Sequence, residues 1–241
     1  MNIATIFAGG IGARMHSKDK PKQFLEMHNK PIIVHTLEHF QNHDLIDAIV
    51  VVCIQEWMEH CKKLIEKYQL EKVKSIVPGG ASGQLSIYNG LMEAKRICGK
   101  ERSIVLIHDG VRPLINSKII TDNINSVLQY GSAITTANVK ETILVVDENH
   151  ASIDYVPNRR CSRIAKGPQS FWLDEVLDIE KKSLEDGITD WVDTCTMMQN
   201  YGKQMYLIDG PDENIKITTP EDFYMMRALL DAKENAQIYG F

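Results

Sequence analysis

The chain has 241 residues, of which 44% are hydrophobic and 24% are charged, and its formal net charge is −5. This length and balance suit one large α/β domain, and the negative total excludes general binding to nucleic acid or to a membrane surface. No apolar run approaches a membrane span, the N-terminus lacks the features of a signal peptide, and the five cysteines form no C-x-x-C pair. We therefore expect a cytoplasmic protein with reduced thiols, in which any anion site is a local basic cluster.

Short apolar runs alternate with amphipathic stretches along most of the chain. The predicted strands are, in chain order, Asn2–Ala8, Ala48–Ile54, Lys74–Val77, Ser103–His108, Ser132–Asn138 and Met205–Asp209. Two of them contain continuous apolar runs, Ile49–Val52 and Ile104–Ile107, which are typical of strands buried on both faces of a parallel sheet. Between the strands, apolar residues recur every three or four positions and predict helices. This alternation predicts a single α/β domain over residues 1–241, with a mostly parallel twisted sheet flanked by helices.

The first predicted strand leads into a glycine-rich basic loop, AGGIGARMHSKDKPKQF, which runs from Ala8 to Phe24. Ligands of open parallel sheets bind beyond the carboxyl ends of the strands, where successive glycine N–H groups can cradle phosphate oxygens. Arg14 and Lys22 add positive charge, so the loop predicts a phosphate site; a solvated loop after a tight turn is the alternative. The Gly-Lys-Ser/Thr of a P-loop is missing. Met15 stands where a dinucleotide fingerprint has its third glycine, which disfavours a nucleotide-binding dehydrogenase.

Two later segments bring useful side chains to the same sheet edge. LIHDGVRP ends a predicted strand at Asp109, where a carboxylate can hold Mg²⁺ against a triphosphate or cap the next turn. We expect Arg112 to tie this loop down. NIKITTPED predicts a helix start with Pro220 at the first helical position, and Lys216 has no part in that capping pattern, so it is either a ligand contact or an ordinary surface lysine.

The alternation of strands and helices stops between about residues 139 and 168. Two short predicted strands, Thr142–Val146 and Ser152–Val156, surround Asp147–His150, which indicates a hairpin without a crossover helix. A two-stranded hairpin is not stable alone and needs a surface to pack on. We interpret this stretch as an excursion from the single domain.

Seven motifs occur in a characteristic order and spacing: AGGIGARM, PKQF, KPIIVHTLEHF, GGASGQLS, HDGVRP, PQSF and NIKITTPED. Together they resemble the cytidylyltransferases of the methylerythritol-phosphate and ribitol-phosphate type, over nearly the whole chain. The resemblance implies a Rossmann-like domain with a protruding β-arm used in dimerisation. It also implies transfer of CMP from CTP to a small polyol phosphate, with Mg²⁺ or another divalent cation and a homodimer as the active form.

The first loop reads AGG rather than AAG, and with KPIIVHTLEHF and QEWMEH it resembles the ribitol-phosphate branch, which serves teichoic acid or capsule biosynthesis. We therefore expect ribitol 5-phosphate as the acceptor. Methylerythritol phosphate is the alternative acceptor within the family. The alternative that is not an enzyme is a non-catalytic CTP-binding module.

The resemblance also assigns roles to individual residues. The catalytic cations are Arg14, Lys22 and Lys216. The nucleotide contacts are Ala8, Gly9, Gly10, Gly12, Gly80, Ser86 and Asp109, and Asp109 is also the metal ligand. The acceptor contacts are Lys140, Thr142, Arg159 and Asp190, with Thr142 and Arg159 serving the site of the partner subunit. The chain departs from the family pattern twice: an arginine is missing after Gly79-Gly80, which leaves Ser82 or Gln84 as substitutes in base recognition, and Gly167 replaces the usual threonine before Pro-Gln.

Overall fold

The computed structural model describes residues 1–10 and 20–239, with side chains to residue 235. The strands in these residues are β1 (Asn2–Ala8), β2 (Glu26–Met27), β3 (Lys30–Pro31), β4 (Ala48–Cys53), β5 (Val73–Pro78), β6 (Ile104–Asp109), β7 (Ser132–Asn138), β8 (Val145–Val146), β9 (Ile153–Tyr155), β10 (Arg163–Trp172) and β11 (Leu207–Asp209). The helices are α1 (Ile32–Gln41), α2 (Met58–Lys67), α3 (Gly83–Cys98), α4 (Ser117–Tyr130), α5 (Leu173–Glu185), α6 (Thr194–Asn200) and α7 (Pro220–Tyr239).

The central sheet has seven strands in the order β11-β7-β10-β6-β1-β4-β5. Every neighbouring pair is parallel except the two pairs that β10 makes with β6 and β7. This confirms the predicted mostly parallel sheet, and the six predicted strands are all present with ends shifted by two residues at most. None of the described helices combines the length and the hydropathy needed to cross a membrane.

Helices cover both faces of the sheet, and adjacent strand residues contribute to opposite sides. On β4, Val50 packs with α3 and α5, whereas Val51 packs with α1, α2 and α4. On β6, Val105 packs on the side of α3 and α5, and Leu106 packs on the side of α1, α2 and α4. The continuous apolar runs in the sequence therefore reflect strands that are buried on both faces, because neither face meets water.

β10 is the strand of the central sheet that the sequence did not predict. It begins at Arg163, the register partner of Asn138 on β7, so residues 163–168 belong to the central sheet and not to the excursion. Its pairing with β7 shifts between Ala165 and Gln169, which marks a bulge in the intervening residues. The remaining excursion contains the predicted hairpin, shortened to β8 and β9. We call residues 139–162 the arm.

The last helix begins as its sequence predicts. Pro220 is its first residue, and Asp222 Oδ2 accepts from the backbone N–H groups of Thr218 and Thr219 at 2.8 and 2.9 Å. Met226 of α7 is fully buried in a small cluster with residues from β2 and from the segment after β6. This packing fixes the strand-like segment that carries Lys216 beside the carboxyl end of β6.

Candidate active site

A cleft of about 770 Å³ crosses the carboxyl ends of the parallel strands. This volume is large enough for a nucleotide and a small second substrate. Its walls include eight of the residues that the sequence analysis selected. They are Ala8, Gly9, Gly10, Lys22, Gly80, Ser86, Asp109 and Lys216. Gly12 and Arg14 were selected as well, but they lie outside the described residues.

Asp109, the last residue of β6, lies between two cations. Its Oδ1 is 2.7 Å from Lys216 Nζ, and its Oδ2 accepts from Arg112 Nε at 2.8 Å. Burial alone would raise the pKa of this carboxyl, but the Lys216 ammonium and the Arg112 guanidinium outweigh burial and hold the pKa below its usual range. Arg112 also donates to Asn214 O at 3.0 Å, so it ties the loop down as expected. Asp109 is therefore ionised throughout the physiological pH range.

Lys22 lies on the same side of the cleft as Lys216. Its Nζ donates to Ile217 O at 2.8 Å, which places the two predicted catalytic lysines on touching segments. Gln23 is fully buried, and its Nε2 donates to Ala8 O at 2.6 Å. Gln23 thus anchors the segment that carries Lys22 to the end of β1. The buried glutamine within PKQF is a positioning residue that the sequence analysis quoted without assigning it a role.

The turn after β5 and the start of α3 form the other end of the cleft. Gly80 N donates to Ser86 Oγ at 3.0 Å, and Ser86 Oγ donates to Ser82 O at 2.9 Å. A Cβ on Gly80 would lie 2.8 Å from Leu85 C, so only glycine allows this close approach. Ser86 therefore shapes the loop that faces the predicted base position.

Of the two residues expected to replace the missing arginine in base recognition, Ser82 lines the cleft and Gln84 does not, so the replacement stays a prediction for Ser82 alone. Ser82 caps α3 by accepting from Leu85 N at 3.1 Å, and its hydroxyl donates to Thr189 O. Gln84 is only 2% exposed and donates to Glu180 Oε2 and Ser183 Oγ, both at 3.0 Å. Both side chains are occupied by interactions that hold the loop in place, because the residues behind α3 offer polar partners.

Gln84 also connects this loop to residues on the far wall. Its Oε1 accepts from Trp191 N at 3.3 Å, and Trp191 Nε1 donates to Ser183 Oγ at 2.8 Å. Burial raises the pKa of Glu180 to about 7, although its hydrogen bond from Gln84 acts in the opposite direction. The network thus joins α3, α5 and the 188–193 segment behind the cleft.

The four predicted acceptor residues do not line the cleft of their own chain. Lys140, Thr142 and Arg159 are exposed on the arm; Lys140 Nζ is 2.7 Å from Asp212 Oδ2, and Arg159 Nη1 donates to Lys140 O at 3.3 Å. Asp190 is exposed and does not line the cleft of its own chain, so its place beside the acceptor stays a prediction. In the same segment Asp193, the N-cap of α6, does line the cleft and accepts from Thr196 N at 2.9 Å.

Three further residues of the cleft were missed or left without a role. Lys166 and Asp193 line it without having been selected, and His108 was noted only as the neighbour of Asp109. The sequence feature that could have identified Lys166 as a cleft residue is its position as a charged residue directly before Gly-Pro. Gly167 faces His108 so closely that a Cβ there would lie 2.7 Å from His108 Nδ1.

The carboxylate chemistry of the cleft fits a divalent cation that arrives with a nucleotide. Among the described residues, no three metal-ligating side chains come together, so the protein offers Asp109 as a single carboxylate. Mg²⁺ is commonly held by one or two carboxylates together with substrate phosphates and water. Asp109 meets that requirement, whereas a metal site built from protein ligands alone does not fit the residues described.

Known proteins similar to this chain share both its fold and its full length. The crystal structure titled 4-diphosphocytidyl-2C-methyl-D-erythritolsynthase from Anaerococcus prevotii DSM 20548 superposes with a TM-score of 0.82 at 26% identity, covering 95% of this chain and 96% of that one. A ribitol-5-phosphate cytidylyltransferase from Streptococcus agalactiae serotype Ia is 52% identical over 240 residues, covering 100% of both chains. A 2-C-methyl-D-erythritol 4-phosphate cytidylyltransferase from Clostridium botulinum strain 657 is 41% identical over 230 residues, covering 95% of this chain and 97% of the relative.

A CTP-dependent nucleotidyltransferase is the class of enzyme that this fold, this cleft and these relatives define. The family model described as IspD: 2-C-methyl-D-erythritol 4-phosphate cytidylyltransferase matches residues 2–232, and the chain belongs to that family. The resemblance seen in the motifs is thereby confirmed.

Proposed function

We propose that this enzyme transfers CMP from CTP to ribitol 5-phosphate, giving CDP-ribitol and pyrophosphate. The observation that carries the proposal is the full-length identity of 52% with a relative named ribitol-5-phosphate cytidylyltransferase, against 41% with a relative named for methylerythritol phosphate. The product would serve teichoic acid or capsule biosynthesis, and the predicted location is the cytoplasm.

The proposed reaction is a direct displacement at the α-phosphorus of CTP. A phosphate oxygen of the acceptor forms a bond to that phosphorus, and the bond to the bridging oxygen of the β-phosphate breaks, so pyrophosphate leaves. No covalent enzyme intermediate is required, and catalysis rests on positioning and on charge stabilisation. Lys216 and Lys22 line the cleft where the phosphates would lie, and Arg14 is assigned to the same task by resemblance.

The nucleotide is proposed to lie along the cleft with its base near Gly80 and Ser86. Its phosphates would then reach Gly9 and Gly10 at the end of β1 and Lys216 beside β6. Asp109 would hold Mg²⁺, which supplies positive charge to the phosphates when it is bound. Lys216 is within 3 Å of Asp109, so a small movement of its flexible side chain can transfer its charge from the carboxylate to a phosphate.

The active form is proposed to be a homodimer that shares residues across its interface. The arm exposes apolar side chains that are between 40% and 57% accessible. They are Ile143, Leu144, Val146, Ile153, Tyr155 and Val156. Apolar groups clustered on a two-stranded hairpin need a covering surface, and a second copy of the chain provides one reciprocally. Arg159 and Thr142 would then reach the acceptor phosphate in the partner's cleft, which explains why they are absent from their own.

A panel of polyol phosphates with CTP and Mg²⁺, assayed by pyrophosphate release, tests the proposed acceptor. We expect ribitol 5-phosphate to give the highest kcat/KM, at least tenfold above 2-C-methyl-D-erythritol 4-phosphate. Faster reaction with the branched four-carbon acceptor would contradict the assignment. Absence of pyrophosphate release with every acceptor, despite CTP binding, would favour the non-catalytic module.

A further inference from the structure

Lys166 is a buried lysine in the wall of the cleft. Only 8% of its surface is exposed, although its neighbours Ala165 and Gly167 also line the cleft. It lies in the bulge of β10, where the pairing with β7 is interrupted between Ala165 and Gln169. A bulge changes the direction of the side chains next to it, and bulges are common beside active sites. The local backbone therefore turns a long cationic side chain inward from a central strand.

The charge of Lys166 has only neutral partners in the residues that the structure describes. Its Nζ donates to Asp212 O at 2.7 Å and approaches Pro211 O at 3.5 Å, and no carboxylate oxygen lies within 4 Å. Burial lowers the pKa of this ammonium and the Arg112 guanidinium lowers it further, whereas the carboxylates of Asp212 and Glu213 raise it. A buried charge without a direct carboxylate partner is unfavourable, so an anion bound here would recover part of that cost.

The sheet order places Lys166 away from the base end of the cleft. The turn that carries Gly80 follows β5 and reaches the end of β1, since a Cβ on Gly9 would lie 3.9 Å from Gly79 Cα, whereas Lys166 is on β10, two strands from β1 on the side away from β5. β10 neighbours β6, and Gly167 faces His108, so Lys166 lies near the carboxyl end of the strand that carries Asp109. If the base and the triphosphate lie beside the ends of β5, β1 and β6, the part of the cleft beside β10 is left for the second substrate.

We propose that Lys166 binds the phosphate group of the polyol acceptor and contributes to the preference for phosphorylated acceptors. This inference rests on the proposed function, because it assigns one wall of the same cleft to the second substrate of the reaction. The ammonium keeps its hydrogen bond to Asp212 O and offers its remaining N–H groups to phosphate oxygens. The acceptor phosphate is thereby held beside the Asp109–Lys216 pair, where its oxygen meets the α-phosphorus of CTP.

The competing interpretation is that Lys166 only tethers the 210–214 loop through its bonds to backbone carbonyls. The two interpretations predict different ligand dependence. A phosphate-binding lysine favours ribitol 5-phosphate over ribitol itself, and that preference becomes smaller when the charge is removed. If Lys166 only tethers the loop, its substitution changes stability and CTP binding. It then changes the affinities for ribitol 5-phosphate and for ribitol by the same factor.

The test compares Lys166→Met, which keeps the length and removes the charge, with the wild-type enzyme. Dissociation constants for ribitol 5-phosphate and for ribitol are measured calorimetrically on the full chain with a non-hydrolysable α,β-methylene CTP present. We expect the affinity for ribitol 5-phosphate to fall about 10- to 100-fold, with the affinity for ribitol and the KM for CTP unchanged within twofold. Lys72→Met is the matched control, because Lys72 Nζ also donates to a backbone carbonyl, His43 O at 2.7 Å, outside the cleft.

Equal loss of affinity for both ligands, or no loss for either, would overturn the assignment. If Lys166→Met lowers the melting temperature strongly, Lys166→Gln decides, because it retains a donor for Asp212 O without a charge: loss of the phosphate preference supports the proposal, and a retained preference refutes it. Failure of the proposed function is recognised separately, since wild-type enzyme would then ignore ribitol 5-phosphate. The same comparison would in that case be made with the acceptor that the panel identifies and its dephosphorylated form.

Discussion

Lys216 Nζ lies 2.7 Å from Asp109 Oδ1, so the cation assigned to the α-phosphate and the carboxylate assigned to the metal form one ion pair. Both partners are partly exposed to the cleft, at 44% and 27%. A triphosphate that enters with Mg²⁺ offers each member a new partner, because phosphate attracts the ammonium and the metal attracts the carboxylate. Binding of substrate is therefore expected to exchange one ion pair for two other interactions.

Lys216→Met should lower kcat by about 10²- to 10³-fold, because it removes one charge that faces the reacting phosphate. The KM for CTP should change much less, and the melting temperature should stay within a few degrees. Pyrophosphate release and thermal unfolding measure the two effects. Lys203→Met, at an exposed position outside the cleft, is the control. Near-normal turnover of Lys216→Met would contradict the assigned role.

Chelation of divalent cations should abolish activity, and added Mg²⁺ should restore it. Asp109→Asn should keep less than about 1% of wild-type activity, because it leaves Arg112 and Lys216 without the carboxylate and weakens metal binding. The low pKa of Asp109 means that this carboxylate loses its charge only as pH falls below the usual range of aspartate. Asp109 should therefore contribute no acid limb to kcat above pH 5. Full activity in excess chelator would refute the metal requirement.

Glu180 should make the free energy of unfolding depend on pH. Burial raises its folded-state pKa to about 7 from an ordinary 4.5, so the folded state retains a proton that the unfolded state has lost. Stability should therefore fall as pH rises from about 4.5 to 7. Glu180→Gln should remove that decline and stabilise the protein above pH 7 by up to about 3 kcal/mol. Melting temperatures across this pH range measure it, and exposed Glu185→Gln should leave the decline intact.

Gly167→Ala should destabilise the protein by about 1–3 kcal/mol, because the new Cβ would lie 2.7 Å from His108 Nδ1. His108 is neutral, since burial lowers its pKa to about 4, and its Nε2 donates to Arg112 O at 3.1 Å. The ring is therefore held in place and cannot move aside freely. Chemical denaturation of Gly167→Ala in wild-type and His108→Ala backgrounds should show a smaller cost in the second.

A stability control for this pair is Gly83→Ala, because nothing lies within 4 Å of a Cβ at Gly83. Equal costs of Gly167→Ala in the two backgrounds would show that His108 is not the residue that limits space.

Subunit exchange should restore activity between two inactive variants if the arm serves the neighbouring cleft. Lys216→Met chains mixed with Arg159→Ala chains give mixed dimers in which one site has both residues intact. Partial recovery of pyrophosphate release is then expected, up to about half of the wild-type specific activity per mixed dimer. If the arm instead served its own chain, every site would lack one residue, and demonstrated mixed dimers would stay inactive.

The residues near each strand end were predictable because their signals are local. Gly9 and Asp109 lie at the ends of predicted strands, Lys22 belongs to the basic loop that begins at the first of them, and parallel strands bring such ends together. β10 could not be found in this way. It begins with a charged residue, Arg163, and contains Gly167-Pro168, and a proline inside a run argues against a strand unless a bulge accommodates it.

The missed strand explains one difference between the predicted and the observed site, and contacts between residues far apart in sequence explain another. Lys166 was not selected because its segment was assigned to the arm, outside the sheet. Gln84 was expected in the cleft because it follows the glycine turn, but the direction of its side chain depends on Glu180 and Ser183, almost 100 residues away in sequence. No local pattern carries such a contact. Asp190 and Asp193 are both acids in one short loop, and Asp193 lines the cleft, where it caps α6 and accepts from Gln169 Nε2 at 3.0 Å.

Asn138 and Arg163 are register partners at the two ends of the arm, and both belong to central strands. The chain therefore leaves the sheet at the end of β7 and re-enters it at the start of β10, at positions that are paired with each other. Changes in the length of residues 139–162 are therefore expected to leave the register of β7 and β10 unaltered. The arm proposed to meet the acceptor and a partner subunit could then vary between related enzymes while the strands that form the CTP cleft stay the same.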